Sequence, residues 1–134
     1  MSGVNVVGAL LRTYDPLISV VAPGSIKAGS LPEKVALPAI LLRSISQIDR
    51  QPLKRSGYVR ATERIEVTVR AASYREQRAL IKLIRRCGDN VTIPEIEGVF
   101  SVSILTAGTG PDLSGPNNTF ERAQDFRVSF DEPL

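Results

Sequence analysis

The stretch ERIEVTVRAASYREQRALIKLIRRCG, residues 63–88, carries two periodicities in succession. Ile65, Val67, Val69 and Ala71 alternate with Arg64, Glu66, Thr68 and Arg70. Period two of this kind marks a strand with one buried and one solvated face. The pattern breaks at Ser73-Tyr74-Arg75-Glu76, an S-x-x-E capping box in which Ser73 accepts the Glu76 amide hydrogen and Glu76 reaches back to the Ser73 amide. Leu80, Leu83, Ile84 and Cys87 then recur at helical spacing, and Gly88 stands where a helix C′ residue belongs. The opposite helix face is basic, with Arg75, Arg78, Lys82, Arg85 and Arg86. A long strand running straight into a capped helix is therefore the centre of the fold.

Upstream, the strand is predicted to begin near Tyr58, after a polar loop over 49–57 (DRQPLKRSG). Residues 39–48 read as a second strand, with Ile40 and Leu42 on one face and Leu41 and Ile45 on the other. The chain over 23–38 is punctuated by Pro23, Gly24, Gly29, Pro32 and Pro38, so 26–31 is predicted as a short edge segment at most. An N-terminal helix follows from Ser2 as N-cap and from Val4, Val7, Gly8, Leu10 and Leu11 as its apolar face. It stops near Tyr14, because Pro16 disfavours helical backbone at Asp15. Residues 17–21 fit either a further helical turn or a short strand.

Downstream, 89–97 reads as a connector and 99–106 as a strand with Phe100, Val102 and Ile104 on one face. Residues 107–118 are turn-rich. The last strand, 119–130, points Phe120, Phe126, Val128 and Phe130 one way, and 131–134 is expected to fray. The predicted fold is α+β: an antiparallel sheet of about four strands with two helices packed on it, as one domain over 1–134. Its expected core is Ile65, Val67, Val69, Leu80, Leu83, Ile84, Phe126 and Val128.

Composition narrows the function. The chain has 134 residues, of which 43% are apolar, enough for one core and too few residues for two. There is no His, which removes imidazole chemistry and every His-dependent metal site. Cys87 is the single cysteine, has no partner for a disulfide or a nucleophile pair, and is expected to be a buried structural thiol. Glu95 and Glu97, with Asp89 and Asp112 in the flanking loops, lack calcium-loop spacing and are expected to be solvated charges. Gly108-Thr109-Gly110 lacks the Lys-Ser/Thr and following helix of a phosphate loop. No catalytic residue, cofactor or metal is expected. No apolar run reaches the ~18 residues a bilayer span needs, and no signal segment is expected. Seventeen basic against fourteen acidic residues leave a mild excess of +3, concentrated visibly on the basic helix.

Four stretches in order, VNVVGALLRTYDPL (4–17), IKAGSLPEKVALPAILLRSIS (26–46), ERIEVTVRAASYREQRALIKLIRR (63–86) and FERAQDFRVSF (120–130), resemble the tail-terminator, or tail-completion, family of long-tailed bacteriophages. The resemblance implies an α+β fold and a homohexameric ring that caps the tail tube, docks onto the head–tail connector and leaves an axial channel for genomic DNA, without catalysis. It implies as partners the protein itself, the tail tube protein, the connector or head-completion protein, and DNA that passes without sequence-specific binding. It places the protein in the virion neck after assembly in the host cytoplasm, with no membrane role. The surplus apolar side chains Leu41 and Ile45 suit an intersubunit contact. Asp49, Arg50, Lys54 and Arg55 in the first loop, Arg75, Arg78 and Lys82 on the basic helix, and Asp112 in the 107–118 loop complete the expected contact set. The alternative is a small basic nucleic-acid-binding or head–tail adaptor protein that uses the basic helix.

Overall fold

The computed structural model describes residues 2–50 and 57–133. Helix α1 (Ser2–Arg12) and the single turn α2 (Asp15–Ile18) lead to β1 (Ile26–Ala28). Strands β2 (Ala39–Arg50) and β3 (Tyr58–Ala71) precede α3 (Tyr74–Cys87). Strands β4 (Val91–Ile96), β5 (Val99–Thr109), β6 (Leu113–Gly115) and β7 (Thr119–Pro133) follow. The sheet order is β1-β2-β3-β7-β5-β4, with β6 also paired to β7. The β1–β2 pair is parallel, and the others are antiparallel.

This overturns the expectation of about four antiparallel strands under two helices. The described residues are mostly β: one curled, mixed, seven-stranded sheet with three short helices. Two strands escaped the sequence pattern for separate reasons. In β4, Pro94 and Glu95 interrupt the alternation, but β4 is an outermost strand, where a residue without an amide hydrogen costs no ladder bond. Strand β6 has three residues, too few to show a period. Strand β1 falls on the short edge segment expected over 26–31. Residues 131–133, expected to fray, continue β7, and residue 134 lies outside the described residues. Asp131 and Glu132 pair with Arg60 and Val59 on β3, and the Ser2 hydroxyl donates to Glu132 Oε1 at 2.5 Å.

The helices α1 and α3 cover one face of the sheet, α1 over β2 and β3 and α3 over β3 and β7. Helix α1 buries Val4, Val6, Val7 and Leu11. Helix α3 buries Gln77, Leu80, Ile81, Ile84 and Cys87, while Leu83 sits half-buried at the rim and Ile81 takes the place expected for it. Ile65, Val67, Val69, Phe126, Val128 and Phe130 are essentially inaccessible beneath them. Residues 17–21 resolve as helical at Leu17 and Ile18, with Leu17 and Val21 fully buried.

Two local features re-aim side chains. Strand β5 bulges between Phe100 and Ser103, with Ser101 at φ 50°. The extra residue sends Val99, Val102 and Ile104 inward and turns Phe100 to the outer face, edge-on to Tyr58 at 5.6 Å. The expected grouping of Phe100 with Val102 and Ile104 is corrected accordingly. At the start of α3, Ser73 Oγ accepts from the Glu76 amide at 3.2 Å as the capping box requires, but Glu76 returns to the Ala72 amide at 3.4 Å, one residue earlier than expected. At the other end, Gly88 has φ −106°, so its lack of a side chain is needed for space and not for a left-handed turn. A Cβ there would run into the Phe126 ring.

Gly88→Ala is therefore expected to lower the unfolding free energy by about 1–3 kcal/mol through forced displacement of Phe126. Gly24→Ala, with open space around it, should stay within ~0.5 kcal/mol of the parent. Urea denaturation of the two variants side by side checks this.

Candidate functional site

The sheet face away from the helices is built from the polar half of the β3 alternation. Arg64 Nε meets Asp125 Oδ2 at 2.8 Å, Arg70 Nε meets Glu121 Oε2 at 2.7 Å, and Arg60 meets Asp131 at 3.2 Å. Arg43 on β2 pairs with Glu66, and the hydroxyls of Thr62 and Ser129 are 3.0 Å apart. Each of these arginines thus meets an acid across the ladder. Three of them also donate to backbone carbonyls: Arg60 to Ser101, Arg64 to Ala107 and Arg70 to Pro32, at 2.8, 2.9 and 3.1 Å. Arg60 and Arg64 reach across β7 to do so, tying β3 to β5. These pairs compensate most of the charge on this face and clip it mechanically, while Arg127, opposite Arg64, is exposed and makes no ion pair among the described residues.

Strand β2 is the exception to that balance. Leu41 is half-buried, Ile45 is 49% exposed and Ile48 is 66% exposed. A register shift between Ser44 and Ser46 resets the faces of the outer half of the strand. Strand β1 pairs only with Ile40, Leu41 and Leu42, so residues 43–50 form an open sheet edge among the described residues. Asp49 and Arg50 lie at the end of this strand, opposite Ala61 and Arg60, with Gln47 Nε2 donating to Asp49 at 2.9 Å. Lys54 and Arg55 fall outside the described residues.

On the helix side, Arg75, Arg78, Lys82, Arg85 and Arg86 are all exposed and make no ion pair among the described residues. The Arg78 guanidinium lies 5.7 Å from the Tyr74 ring centroid. Two shallow clefts flank this face. One, of about 450 Å³, is lined by Tyr74, Arg75, Arg78, Ala79 and Lys82, and the other, of about 330 Å³, by Lys82, Arg85, Arg86, Asp89 and Thr106. Asp112 is exposed but engaged by partners within the chain. Its carboxylate accepts from the Tyr74 hydroxyl and from Gln77 Nε2, each at 3.2 Å, and faces Arg122 at 3.6 Å. The expected contact residues therefore divide into a β2 group and an α3 group, with Asp112 anchored at the start of α3.

Ile48, the most exposed apolar residue of the β2 row, was not among the residues expected from sequence, although an isoleucine between Gln47 and Asp49 on a strand is the visible signal. Two buried polar groups were also missed. Glu63 is fully buried, accepts the Gly3 amide at 2.9 Å through Oε1, and has no partner for Oε2 among the described residues. Gly3 is required there, because a Cβ would lie 2.5 Å from that Oε1. Gln77 is likewise fully buried and donates to Asp112 and to the Glu121 carbonyl. The strand parity of Glu63 with Ile65 and Val67 was the available clue.

Cys87 is 5% exposed, and burial pushes its thiol up to about 11. It is a packed apolar group at neutral pH, as its place on the helix stripe suggested. Among the described residues no group of three or more His, Cys, Asp or Glu side chains could hold a metal ion, and no helix is long and apolar enough to cross a membrane.

No family model and no curated protein matches the sequence. The fold has a counterpart. A chain in the virion of a native gene transfer agent particle superposes with a TM-score of 0.64, over 93% of this chain and 91% of that one, at 11% sequence identity. At that identity the two chains share their fold.

Arg70 and Glu121 are largely covered, whereas Arg43 is half in solvent. Arg70→Ala should cost about 1–3 kcal/mol by leaving Glu121 unpaired and Pro32 unclipped. Arg43→Ala should cost about 0–1 kcal/mol. Denaturant midpoints of the two variants give the comparison. For Cys87, the unfolded thiol ionises at about 9 and the folded one at about 11. Its contribution to stability is complete below pH 9 and is lost as pH rises toward 11. Ellman's reagent at pH 8 should react slowly with the native protein and fully in denaturant.

Proposed function

We propose that this protein is a structural, non-enzymatic component of a phage-type virion, and that it acts as the ring that terminates the tail tube and joins it to the head–tail connector. The observation that carries this reading is the likeness, over nearly the whole of both chains, to a chain of a gene transfer agent virion. The order and spacing of the four stretches quoted above support the finer assignment. So does the β2 row: Ile45 and Ile48 expose apolar surface that a second copy would cover. A homohexameric ring needs heterologous contacts that close by rotation, and Leu41, Ile45 and Ile48 on one side of the molecule suit half of such a contact.

In this role Asp49, Arg50, Lys54 and Arg55 and the 107–118 segment would face the neighbouring tail tube and connector. DNA would pass through an axial channel without sequence-specific binding. Six copies carry roughly +18 in total, which tolerates a polyanion in transit. The site of action is the virion neck, after assembly in the host cytoplasm. A second reading, an adaptor or nucleic-acid-binding protein, is favoured by one observation, the uncompensated cations of α3.

Light scattering after size exclusion, with negative-stain imaging of the protein alone and mixed with tail tubes, tests the proposal. Rings, or caps at tube ends, are expected, and Ile45→Asp with Ile48→Asp should abolish them while leaving the fold intact by circular dichroism. A protein that stays monomeric and never associates with tail tubes would overturn it.

A further inference from the structure

Charge is unevenly distributed in this molecule. Arg43, Arg60, Arg64, Arg70 and Arg122 are neutralised within the chain. Helix α3 is different: five cations stand against the single Glu76, more than the +3 excess of the whole chain. The macrodipole accounts for Arg85 and Arg86 in its last turn but not for Arg75 and Arg78 in its first half.

An acidic counterpart stands elsewhere on the same chain. The β4–β5 hairpin closes through the two-residue turn Glu97-Gly98, flanked by the Ile96–Val99 pair. Both turn residues have positive φ, 51° and 79°, as a tight I′-type loop requires. Glu95 and Glu97 are exposed and make no ion pair among the described residues. Glutamate is an unfavourable choice at a left-handed position, where Asn, Asp or Gly is preferred. The turn sits on the outermost strand pair, roughly 17 Å along β4 from the end of α3, which itself lies over β3 and β7. One molecule therefore presents a basic helix face and a slim acidic tip as separate surfaces.

We propose that the basic face of α3 is the seat for the β4–β5 turn of a second copy of this chain. The Glu97 carboxylate enters the cleft of about 450 Å³ beside Arg78 and Lys82, and Glu95 meets the same row of cations. Two different, complementary surfaces on one chain make a head-to-tail contact, the type that closes into a ring. The inference rests on the ring reading and supplies it with a charge-specified interface that fixes the order of copies.

Charge exchange in the full-length protein tests it. Arg78→Glu with Lys82→Glu, or Glu95→Lys with Glu97→Lys, should each weaken assembly by about a hundredfold or more, by setting like charges together. The chain carrying all four changes should assemble again. Raising salt from about 0.1 M to about 1 M, which shortens the screening length from ~10 Å to ~3 Å, should weaken the parent ring and leave the monomer folded. As a second measurement, Lys82→Cys with Glu97→Cys in a Cys87→Ser background should give a ladder of disulfide-linked multimers on oxidation. Rings that survive both charge reversals, with no cross-linked ladder, overturn this contact and leave the ring reading standing. A parent that never assembles overturns both. Intact assembly together with lost retention of a labelled DNA duplex in the Arg78→Glu, Lys82→Glu variant would assign the face to phosphate and overturn the proposal.

Discussion

Fourteen consecutive residue pairs, from Tyr58 opposite Pro133 to Ala71 opposite Phe120, join β3 to β7 without a register shift. That ladder sorts the molecule into an inside and an outside. Its inward row places Ile65 against Phe126 and buries both under the helices. Its outward row sets Arg60, Arg64 and Arg70 within reach of Asp131, Asp125 and Glu121. Because side chains alternate with period two, a slip of one residue would bury the ions and expose the core, so both rows hold the same register. The other elements are placed by reference to it. Two residues separate the end of β3 from the start of α3, and Gly88 lets the helix settle on the Phe126 ring.

The parts of the fold that are legible in sequence are those governed by local rules. The β3 alternation, the Ser73 cap, the Leu80, Ile84 and Cys87 part of the α3 stripe and the direction of Phe126, Val128 and Phe130 follow from spacing alone, whereas Ile81 and not Leu83 completes that stripe. What escapes depends on neighbours distant in sequence. Strand β4 contains Pro94 and is tolerated because nothing needs to pair on its far side. Phe100 faces outward because β5 gains a residue relative to β7, a relation that no window within β5 contains. Gln77 is buried because Asp112 and the Glu121 carbonyl, 35 and 44 residues away, accept its amide hydrogens. The candidate surfaces divide in the same way. The α3 cations are visible from helical spacing, whereas the exposure of Ile48 depends on how little of β2 is covered by β1.

Electrostatics separates structural charge from available charge. On the sheet face, exchange of partners across β3 and β7 leaves little net field, and the arginines act as clips through their spare donors to carbonyls. The helix face has no such internal compensation among the described residues. A protein that functions by fitting against other surfaces benefits from this division, since the balanced face keeps its shape when salt or partners change while the unbalanced face responds to both.

The two margins of the sheet are unlike, and this limits how copies accumulate. One margin, along residues 43–50, has backbone amides and carbonyls without a strand partner among the described residues; the other carries Pro94 in its middle, where no hydrogen can be donated. Endless stitching of sheet to sheet, as in a cross-β fibre, needs a willing border at both ends of every unit. Here the chain of stitches would stop after a single join. Unlike margins of this kind oppose open-ended sheet growth at high protein concentration.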